Sequence, residues 1–383
     1  MIQRSDKIKL KPTVAQDQQL WNTVDAARYS YNWGLERWEK LYHEGESCSA
    51  YTLSALWTQE RPEWTHKTAR KAQTRSFMHL EGAYNAYFDS VKGLSKQYMD
   101  KPSFKKKGRC RDSFYFPNTA GKLYPNKTIQ IPKVGRVKMC EAFRYKSARI
   151  LSYVVSHEPD GWYVSIQCEI DDTRPTPRES VVGVDVGIKC WAVASDGTKL
   201  EPPKRLKYLR RVAARKQRLL ARKQKGSNRY KKAANTVARI YQRIRRISYD
   251  AIHKFTTTLA KNHSVVVVED LNVAGMRKSW NKGIRRGINY SEMSKIIALL
   301  EYKAKRLIKV PRFYPSSKTC SNCGHVKDDL TLSDRTYHCR SCGIEIDRDL
   351  KAALNIKQKG QEIIAEGHSE SLNDREVERH GDR

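Results

Sequence analysis

Two Cys-x-x-Cys pairs near the carboxyl end of this 383-residue chain limit its local fold more than any other feature. Cys320 and Cys323 form the first pair, Cys339 and Cys342 form the second, and fifteen residues separate the pairs. Four thiols in this spacing can enclose one metal ion tetrahedrally, and the glycine after each pair permits the positive φ of a zinc knuckle. A redox dithiol is the alternative, but two pairs in one short loop favour Zn²⁺. Four thiolates close the coordination shell, so this zinc is expected to fold the loop rather than activate water.

The charge of the chain predicts a polyanionic partner. Lys and Arg total 74 against 41 Asp and Glu, which gives a formal net charge of +33. Such a charge repels itself unless a polyanion or counterions surround it, and nucleic acid is the obvious polyanion. A membrane surface would instead require a spanning apolar run, a lipid-facing amphipathic segment or a lipidation signal, and none is visible. The amino terminus also lacks the apolar stretch of a secretory signal, and the nine cysteines form no framework spread over a small domain, so we expect no membrane partner and a reducing, cytoplasmic location.

Hydrophobic periodicity separates a helical beginning from a strand-rich middle. After a short strand over Asp6–Leu10, Pro12 and Thr13 predict a helix start, and a second helix is predicted over about Lys67–Gln97. Short β-favouring runs between residues 104 and 170 are separated by Gly, Pro and Asn. This pattern is typical of a small antiparallel barrel.

Beyond residue 180, strand-like apolar runs alternate with helical patterns. VVGVDVGI and CWAVAS predict two strands, and Val265–Val268 predicts a third. A helix is predicted near Ser291–Ile308 and a final helix over Leu350–Ile356. The polar tail is poor in apolar residues and is expected to be disordered.

A long basic helical pair follows the second of these strands. Between Leu206 and Lys232 the chain has 12 Lys or Arg and no acidic residue, with a turn expected at Gly226. The second arm carries apolar residues at helical spacing, so one face packs and the other is cationic. A solvated helical pair is the alternative, but a cationic run of this kind more often faces phosphate. The candidate phosphate contacts are Arg210, Arg211, Arg215, Arg218 and Arg222.

Acidic residues stand at three places in this pattern of strands and helices, and at the first two places the surrounding strand is apolar. Asp185 lies in VVGVDVGI, Glu269 ends Val265–Val268, and Asp347 and Asp349 follow the cysteine loop. A neighbouring Lys or Arg could satisfy any one of them. Three such positions on strand, strand and helix favour a metal site, since clustered carboxylates can hold the divalent ions that hydrolyse a phosphodiester.

These segments resemble the TnpB (OrfB) family, transposon-encoded RNA-guided nucleases regarded as ancestral to type V CRISPR effectors. GVDVGIK matches the first nuclease motif, VVVVEDLNVAGM the second, YPSSKTCSNCG with YHCRSCG the zinc ribbon, and DRDLKAALNI the third. The resemblance is strongest over residues 180–357. Fainter similarity in the amino-terminal half is carried by PTVAQDQQL, ARYSYNWGL and LEGAYNAYF.

The resemblance implies that Asp185, Glu269 and Asp349 are the catalytic carboxylates and bind Mg²⁺ or Mn²⁺, with Asp347 as an alternate. The third motif usually has Asn two residues after its catalytic Asp, where this chain has Lys351. We expect Lys351 to add positive charge beside the metals or a phosphate.

The implied fold is a multidomain α/β chain with a RuvC-like domain of the RNase H fold, an inserted zinc ribbon, and an amino-terminal wedge β-barrel interrupted by a helical recognition lobe. The expected ranges are 1–10 and 104–172 for the wedge, 11–103 for the recognition lobe, 173–178 for a linker, 179–358 for the nuclease domain (with 204–262 as the basic helical pair and 313–346 as the zinc ribbon), and 359–383 for a disordered tail.

The implied function is an RNA-guided DNA endonuclease that binds a guide RNA from the transposon end, recognises a short element beside the target, and cuts double-stranded DNA that pairs with the guide. Tyr51, Arg70, Thr74 and Asn118 align loosely with the element-reading positions, and ordinary surface residues are the alternative. The oligomeric state is open, with a monomer bound to RNA as the expectation.

Three other functions remain open at this point. A nuclease-inactive relative could use guided binding to repress transcription, and would be expected to lack the carboxylates. A DNA transposase could join strands through the same metal chemistry. A zinc-ribbon nucleic-acid-binding module without chemistry would leave Asp185 and Glu269 unexplained.

Overall fold

The computed structural model describes residues 1–95, 98–172, 180–278, 281–312, 314–327 and 334–366. The chain divides at residue 173 into two compact units, which are described separately below. Across the described ranges, no helix combines the length and the apolar character that crossing a membrane requires.

In its described part, the first unit consists of one antiparallel sheet and three α-helices. Its elements, in chain order, are β1 (Ile2–Lys11), α1 (Val14–His43), α2 (Ala50–Glu60), α3 (Arg70–Val91), β2 (Ser113–Pro117), β3 (Lys122–Tyr124), β4 (Thr128–Ile131), β5 (Gly135–Met139), β6 (Arg149–Glu158) and β7 (Gly161–Ile170).

The sheet of the first unit has the strand order β2-β6-β7-β1-β5-β4-β3. β1 pairs with β7 from Ile2 opposite Ile170 to Lys9 opposite Tyr163, and its last two residues pair with β5. One strand therefore joins both halves of the sheet. The predicted barrel stays a prediction, because no hydrogen bonds between the edge strands β2 and β3 occur within residues 98–172.

The helix start predicted at Pro12 and Thr13 is confirmed, and the reason is local. The Thr13 side chain accepts the Gln16 amide, and the Gln16 side chain accepts the Thr13 amide, which makes a capping box. The predicted helix over Lys67–Gln97 is shorter: α3 runs only from Arg70 to Val91, because Gly93 follows with φ +73°. Gln97 lies outside the described residues. α2, which Ser49 caps, is a helix that the sequence patterns missed.

The second unit has a five-stranded sheet, a small hairpin and six α-helices among its described residues. Its elements are β8 (Val181–Asp185), β9 (Ala192–Ala194), β10 (Lys199–Leu200), α4 (Lys204–Ala221), α5 (Asn228–Asn262), β11 (Val265–Glu269), α6 (Val273–Met276), α7 (Lys282–Ser291), α8 (Met293–Lys303), β12 (Arg306–Val310), β13 (Thr336–His338), β14 (Glu345–Asp347) and α9 (Arg348–Ala365).

The five strands lie in the order β10-β9-β8-β11-β12, and β8, β11 and β12 are parallel. Alternation along β8 and β11 sends Val182, Val184, Val266 and Val268 into a core shared with α5 and α8. Val267 faces the other way and packs with Ile356 of α9. Helices therefore cover both faces of the parallel strands, which explains their continuous apolar sequences.

One helix predicted in this unit is present but has the wrong bounds. The helix expected near Ser291–Ile308 breaks at Glu292, which has a left-handed backbone, and ends at Lys303. Residues Arg306–Val310 are instead strand β12, because their short apolar run gains a hydrogen-bonded neighbour in β11. Such a run cannot be assigned from periodicity alone.

The final helix is also longer than predicted. It continues to Ala365 rather than ending at Ile356, so the disordered tail expected from residue 359 does not begin there. Gly360 is buried against Val267, and Ile363 and Ile364 pack on the same cluster. Tertiary burial therefore stabilises a segment that looks polar in the sequence. Residues 367–383 lie outside the described ranges.

The approach of α9 to β8 depends on a glycine. A Cβ on Gly183 would overlap the carbonyl oxygen of Ala353 and the amide nitrogen of Lys357 in α9. These are backbone atoms, so no side-chain rotation can relieve the clash. Gly183 therefore sets how closely the helix packs on the strand that ends at Asp185.

We expect Gly183→Ala to lower the free energy of unfolding by about 1–3 kcal/mol, because it overpacks this contact. Thermal denaturation of the purified chain measures the effect. Gly82→Ala is the matched control, since a Cβ at Gly82 in α3 meets no atom within 4 Å. Equal midpoints for the two variants would contradict the proposed role of Gly183.

Candidate active site and metal-binding loop

Asp185 and Glu269 lie side by side at one edge of the parallel sheet. The register pairs Val184 of β8 with Val268 of β11, so the next residue of each strand is its acidic one. Adjacent strands are about 4.8 Å apart. Asp185 is two residues after Gly183, and Glu269 is two residues after Val267. Because residues two apart on a strand share a face, both acids lie on the face that α9 covers.

Asp349 reaches the same region from the first turn of α9. Asp347 caps this helix, with its Oδ1 accepting the amides of Asp349 and Leu350 at 3.0 Å each. Its other oxygen pairs with Lys199 Nζ at 3.1 Å. Burial would raise the pKa of Asp347, but the Leu350 amide and the Lys199 ammonium hold it below its usual value. Asp347 is therefore a helix cap, whereas an Asp349 carboxylate oxygen lies 3.9 Å from Arg335.

The electrostatics of the site reflect the crowding of like charges. Burial, followed by the charges of Glu269 and Asp349, raises the pKa of Asp185 to about 7, against the opposing effect of Arg348. Burial also raises the pKa of Glu269, while a hydrogen bond from the Ser316 hydroxyl opposes that rise. Carboxyls whose anionic forms are disfavoured in this way are stabilised as anions by a nearby cation.

The four cysteines form a tighter group than the carboxylates. Within the described ranges, they are the one set of His, Cys, Asp or Glu ligand atoms that all lie within 4.8 Å of one another. The Sγ atoms of Cys320 and Cys342 are 3.7 Å apart, and those of Cys323 and Cys339 are 3.6 Å apart. Tetrahedral Zn²⁺ with Zn–S bonds of ~2.3 Å requires sulfur separations of roughly 3.8 Å. The cysteine geometry therefore fits a structural zinc site.

The backbone of the cysteine loop places amide groups where they can stabilise thiolates. Gly324 and Gly343 have φ of +75° and +73°, which confirms the positive φ predicted after each cysteine pair. The backbone amides of Cys342 and Ser341 lower the pKa of Cys339 to about 6, whereas burial and hydrogen bonds with the other three thiols raise the pKa of Cys323 to about 11. Amides directed at a sulfur stabilise the anionic form that binds a metal.

The side chain of Lys351 lies in a different place from the one that its position in the motif predicts. The expectation that it adds charge beside the metals or a phosphate is wrong, because its buried side chain is directed at the cysteine loop. Nζ donates to the Ser317 carbonyl at 2.6 Å and lies 3.5 Å from the centre of the Tyr337 ring. It therefore contacts the cysteine loop. Burial lowers the pKa of Lys351 to about 8.

The basic helices divide into exposed and packed arginines. On α4, Arg211, Arg215 and Arg218 are exposed, as is Arg222 at its end. Arg210 differs, because its guanidinium lies 4.0 Å from the centre of the Tyr290 ring and donates to the Tyr290 carbonyl. The four exposed arginines are available for phosphate, whereas Arg210 packs against protein.

Three of the four candidate element-reading residues meet in one cavity of the first unit. Tyr51, Arg70 and Thr74 line a space of about 530 Å³. Asn118 is not part of this lining, and its amide instead donates to the Ile150 carbonyl at 3.1 Å. The sequence patterns missed further residues that complete the cavity, namely Lys71, Arg75, Met78 and Tyr115.

Ser316 is the site residue that sequence reasoning missed entirely. It stands in the YPSSKTC run, which was assigned to the zinc ribbon only. Its hydroxyl donates to Glu269, 47 residues away in the chain, and the residue is buried. No local pattern signals such a long-range contact.

Comparison with known proteins gives three family matches. A family model described as "Probable transposase" matches residues 164–280, one described as "Cas12f1-like, TNB domain" matches residues 294–356, and one described as "Helix-turn-helix domain" matches residues 1–47. The last description does not fit the local structure, because residues 1–47 contain β1 and the single unbroken helix α1.

Curated relatives cover nearly the whole chain. A protein of Escherichia coli (strain K12) named "Putative RNA-guided DNA endonuclease InsQ" is 30% identical over 389 residues, covering 94% of this chain and 93% of its own. A protein of Streptomyces pristinaespiralis with the name "Putative RNA-guided DNA endonuclease" is 31% identical over 370 residues, covering 94% of this chain and 90% of its own. The CRISPR-associated endodeoxyribonuclease Cas12f1 of Sulfoacidibacillus thermotolerans is 22% identical over 222 residues, covering 54% and 52%.

We expect the stability of the protein without Mg²⁺ or Mn²⁺ to fall as the pH rises from about 4 to about 7. The folded pKa of Asp185, about 7, lies above its ordinary value of 3.8. The folded state therefore binds the proton more tightly, and the contribution of this group is lost as the carboxyl ionises. Thermal midpoints across this range measure the effect, with Asp185→Asn flattening the slope.

Asp250→Asn, which changes an exposed carboxylate of α5, is the control and should leave the slope unchanged. If these carboxyls bind Mg²⁺, adding it should raise the midpoint of the unaltered chain most at the high-pH end, because carboxyls bind the ion in their deprotonated form. An Asp185→Asn chain with the pH profile of the parent would rule out this explanation.

Cys339→Ser should remove bound zinc and unfold the loop, since a closed four-thiolate site loses a ligand. Metal analysis of the purified protein measures zinc per chain, and limited proteolysis reports the loop. Cys140→Ser is the control, because Cys140 is an exposed thiol outside the group. Retention of a full equivalent of zinc by Cys339→Ser would refute the four-cysteine assignment.

Proposed function

The chain belongs to the TnpB (OrfB) family of RNA-guided DNA endonucleases encoded by insertion sequences, and we propose that its second unit is the RuvC-like domain that cuts the DNA. The protein is thus an RNA-guided DNA endonuclease. Asp185, Glu269 and Asp349 are its proposed catalytic carboxylates.

One observation carries this assignment. Asp185 and Glu269 end neighbouring strands, and burial, together with the charges of Glu269 and of Asp349 on α9, raises the pKa of Asp185 to about 7. Buried like charges destabilise a fold unless cations neutralise them, so this arrangement favours a site that binds a cation. Perturbed carboxyls of this kind mark candidate functional sites.

The topology supports an RNase H type of fold for this unit. The strand order β10-β9-β8-β11-β12 has three parallel strands, and β9 and β10 are antiparallel. The carboxyl ends of the parallel strands β8 and β11 carry the proposed catalytic residues. Ligand sites of open α/β sheets lie at this edge.

The residues present fit divalent metal ions. Mg²⁺ or Mn²⁺ bound here would supply a nucleophilic water and stabilise the leaving oxygen of the phosphodiester. Asp185, Glu269 and Asp349 offer the hard oxygen ligands that such ions prefer. Ser316 orients Glu269 through its hydroxyl, and Asp347 fixes the start of the helix that presents Asp349. The chain thus positions each proposed ligand from a different element.

The exposed basic face of α4 supports the proposed binding of nucleic acid. The exposed arginines on and after this helix suit the phosphates of a guide RNA from the transposon end or of double-stranded target DNA. The cavity lined by Tyr51, Arg70 and Thr74 is the proposed reader of the short element beside the target. A protein that leaves sequence reading to base pairing needs this combination of phosphate contacts and one small protein-read element.

Two alternatives are weighed by specific observations. A nuclease-inactive guided repressor would be expected to lack the carboxylates, yet all three are present. Strand joining by a transposase uses the same metal chemistry, and the description of one matching family model favours it. The curated relatives are named as endonucleases, which favours hydrolysis.

Asp185→Ala should abolish cutting while leaving RNA binding nearly intact, because it removes a metal ligand and no phosphate contact. The protein is purified from cells that also express the transposon end, the bound RNA is sequenced, and duplexes matching its 3′ end are incubated with Mg²⁺. Asp250→Ala, a change at an exposed carboxylate, is the control and should cut normally.

The products separate the candidate functions. Guide-dependent cutting that Asp185→Ala loses supports both the function and the site. A specific bound RNA without any cutting indicates the guided repressor, and joined strands indicate the transposase. Undiminished cutting by Asp185→Ala would reject the assignment of the carboxylates.

A further inference from the structure

The Ser316 hydroxyl is the one hydrogen-bond partner described for the Glu269 carboxylate, and it comes from the segment that leads into the cysteine loop. Ser316 is only 5% exposed, so this contact is shielded from solvent. Its amide donates to the Tyr314 carbonyl at 2.8 Å, which tightens the backbone at this point. The position of Glu269 therefore depends on a segment outside the sheet.

Helix α9 holds that segment through two buried side chains. Asn355 donates from Nδ2 to the carbonyls of both Ser316 and Thr319 at 2.7 Å each. Lys351 donates to the intervening Ser317 carbonyl at 2.6 Å. Lys351 and Asn355 are four residues apart, so they project from the same face of the helix. Three carbonyls of four consecutive residues are thus anchored to α9.

Lys351 also contacts the core of the cysteine loop. A buried ammonium group is costly unless negative charge or aromatic faces surround it. Within the described residues no carboxylate pairs with Lys351, whereas the Tyr337 ring lies 3.5 Å from Nζ. Zn²⁺ bound by four thiolates keeps a net negative charge, which makes Lys351 a suitable counter-cation.

We propose that Lys351, Asn355 and Ser316 form a clamp that links the zinc loop to Glu269. These three are positioning residues, because none of them would touch the substrate. The zinc loop then has a role in catalysis besides folding: its occupied, ordered state fixes the hydroxyl that orients one metal-binding carboxylate. This inference deepens the proposed function and rests on it for the identity of the site.

The clamp explains why this chain tolerates Lys at position 351. In the motif to which DRDLKAALNI is similar, Asn is usual at this position. Lysine is longer, and its side chain spans from α9 to both the Ser317 carbonyl and the Tyr337 ring. The ammonium group of Lys351 makes its contacts with the zinc loop. Lysine in place of asparagine therefore adds no cation to the carboxylate site.

The test uses the full chain with guide RNA, zinc and target duplex, and measures the Mg²⁺ concentration for half-maximal single-turnover cutting. We expect Ser316→Ala to raise it roughly tenfold, since an unpaired Glu269 is held less firmly. Ser316→Thr keeps the hydroxyl and should restore most of the parent value. Lys351→Met should raise the Mg²⁺ requirement similarly and also release zinc faster to a chelator. Guide RNA binding should stay constant.

A double-mutant cycle distinguishes a clamp from independent packing effects. If Lys351 acts through Ser316, combining Lys351→Met with Ser316→Ala adds little to either change alone. A double variant whose Mg²⁺ requirement rises by the product of the two single effects would overturn the proposal. Lys359→Met is the matched control, because Lys359 is on the same helix but pairs with Glu362 at the surface. It should change neither zinc release nor the Mg²⁺ requirement.

Two further measurements keep the outcome decisive. If Lys351→Met does not fold, Asn355→Ala removes the neighbouring anchor and should give the same shift. Mn²⁺ binding to the RNA-free chain, followed by electron paramagnetic resonance, reports the carboxylate site without any cutting. A chain that never cuts but whose Mn²⁺ affinity falls in Ser316→Ala would reject the proposed function and retain the clamp. An unchanged Mn²⁺ affinity and Mg²⁺ requirement in Ser316→Ala would reject the clamp itself.

Discussion

The close packing of α9 on β8 is the contact on which the rest of the second unit depends. Gly183 offers no side chain, so backbone atoms of the helix approach the strand directly. Two residues further on, the strand ends at Asp185, while the first turn of the same helix carries Asp349. The helix also anchors the segment whose Ser316 contacts Glu269. One backbone contact thus sets the relative positions of all three proposed metal ligands.

Positive and negative charges are concentrated at two separate places in the second unit, the arginines on α4 and the carboxylates at the sheet edge. Arginines without acidic neighbours in the sequence line the exposed face of α4, where water and counterions screen them. Carboxylates are gathered at the sheet edge, where burial denies them such screening and raises the pKa of Asp185. The first arrangement suits a long polyanion and the second suits small divalent cations. A polyanion bound to the arginines, or divalent cations bound to the carboxylates, would stabilise the fold, because either would remove repulsion between like charges that the fold by itself retains.

Local signals in the sequence were reliable wherever short-range chemistry decides the structure. The capping box at Thr13, the positive φ of Gly324 and Gly343, and the fit of the four cysteines to zinc all follow from residues close together in the chain. Errors arose where a distant partner decides the outcome. Arg306–Val310 is a strand because β11 lies beside it, and residues 359–365 are helical because they pack against the sheet.

The sequence by itself determined which residues could do chemistry: the thiols, the acids in apolar strands and the cationic helices, since these follow from residue type and spacing. Only the tertiary structure decided how they are used. It separated Asp347, a helix cap, from Asp349, turned Lys351 away from the carboxylates, and brought Ser316 to Glu269. Hydrogen bonds and buried charges depend on distances across the fold, and no pattern along the chain encodes those distances.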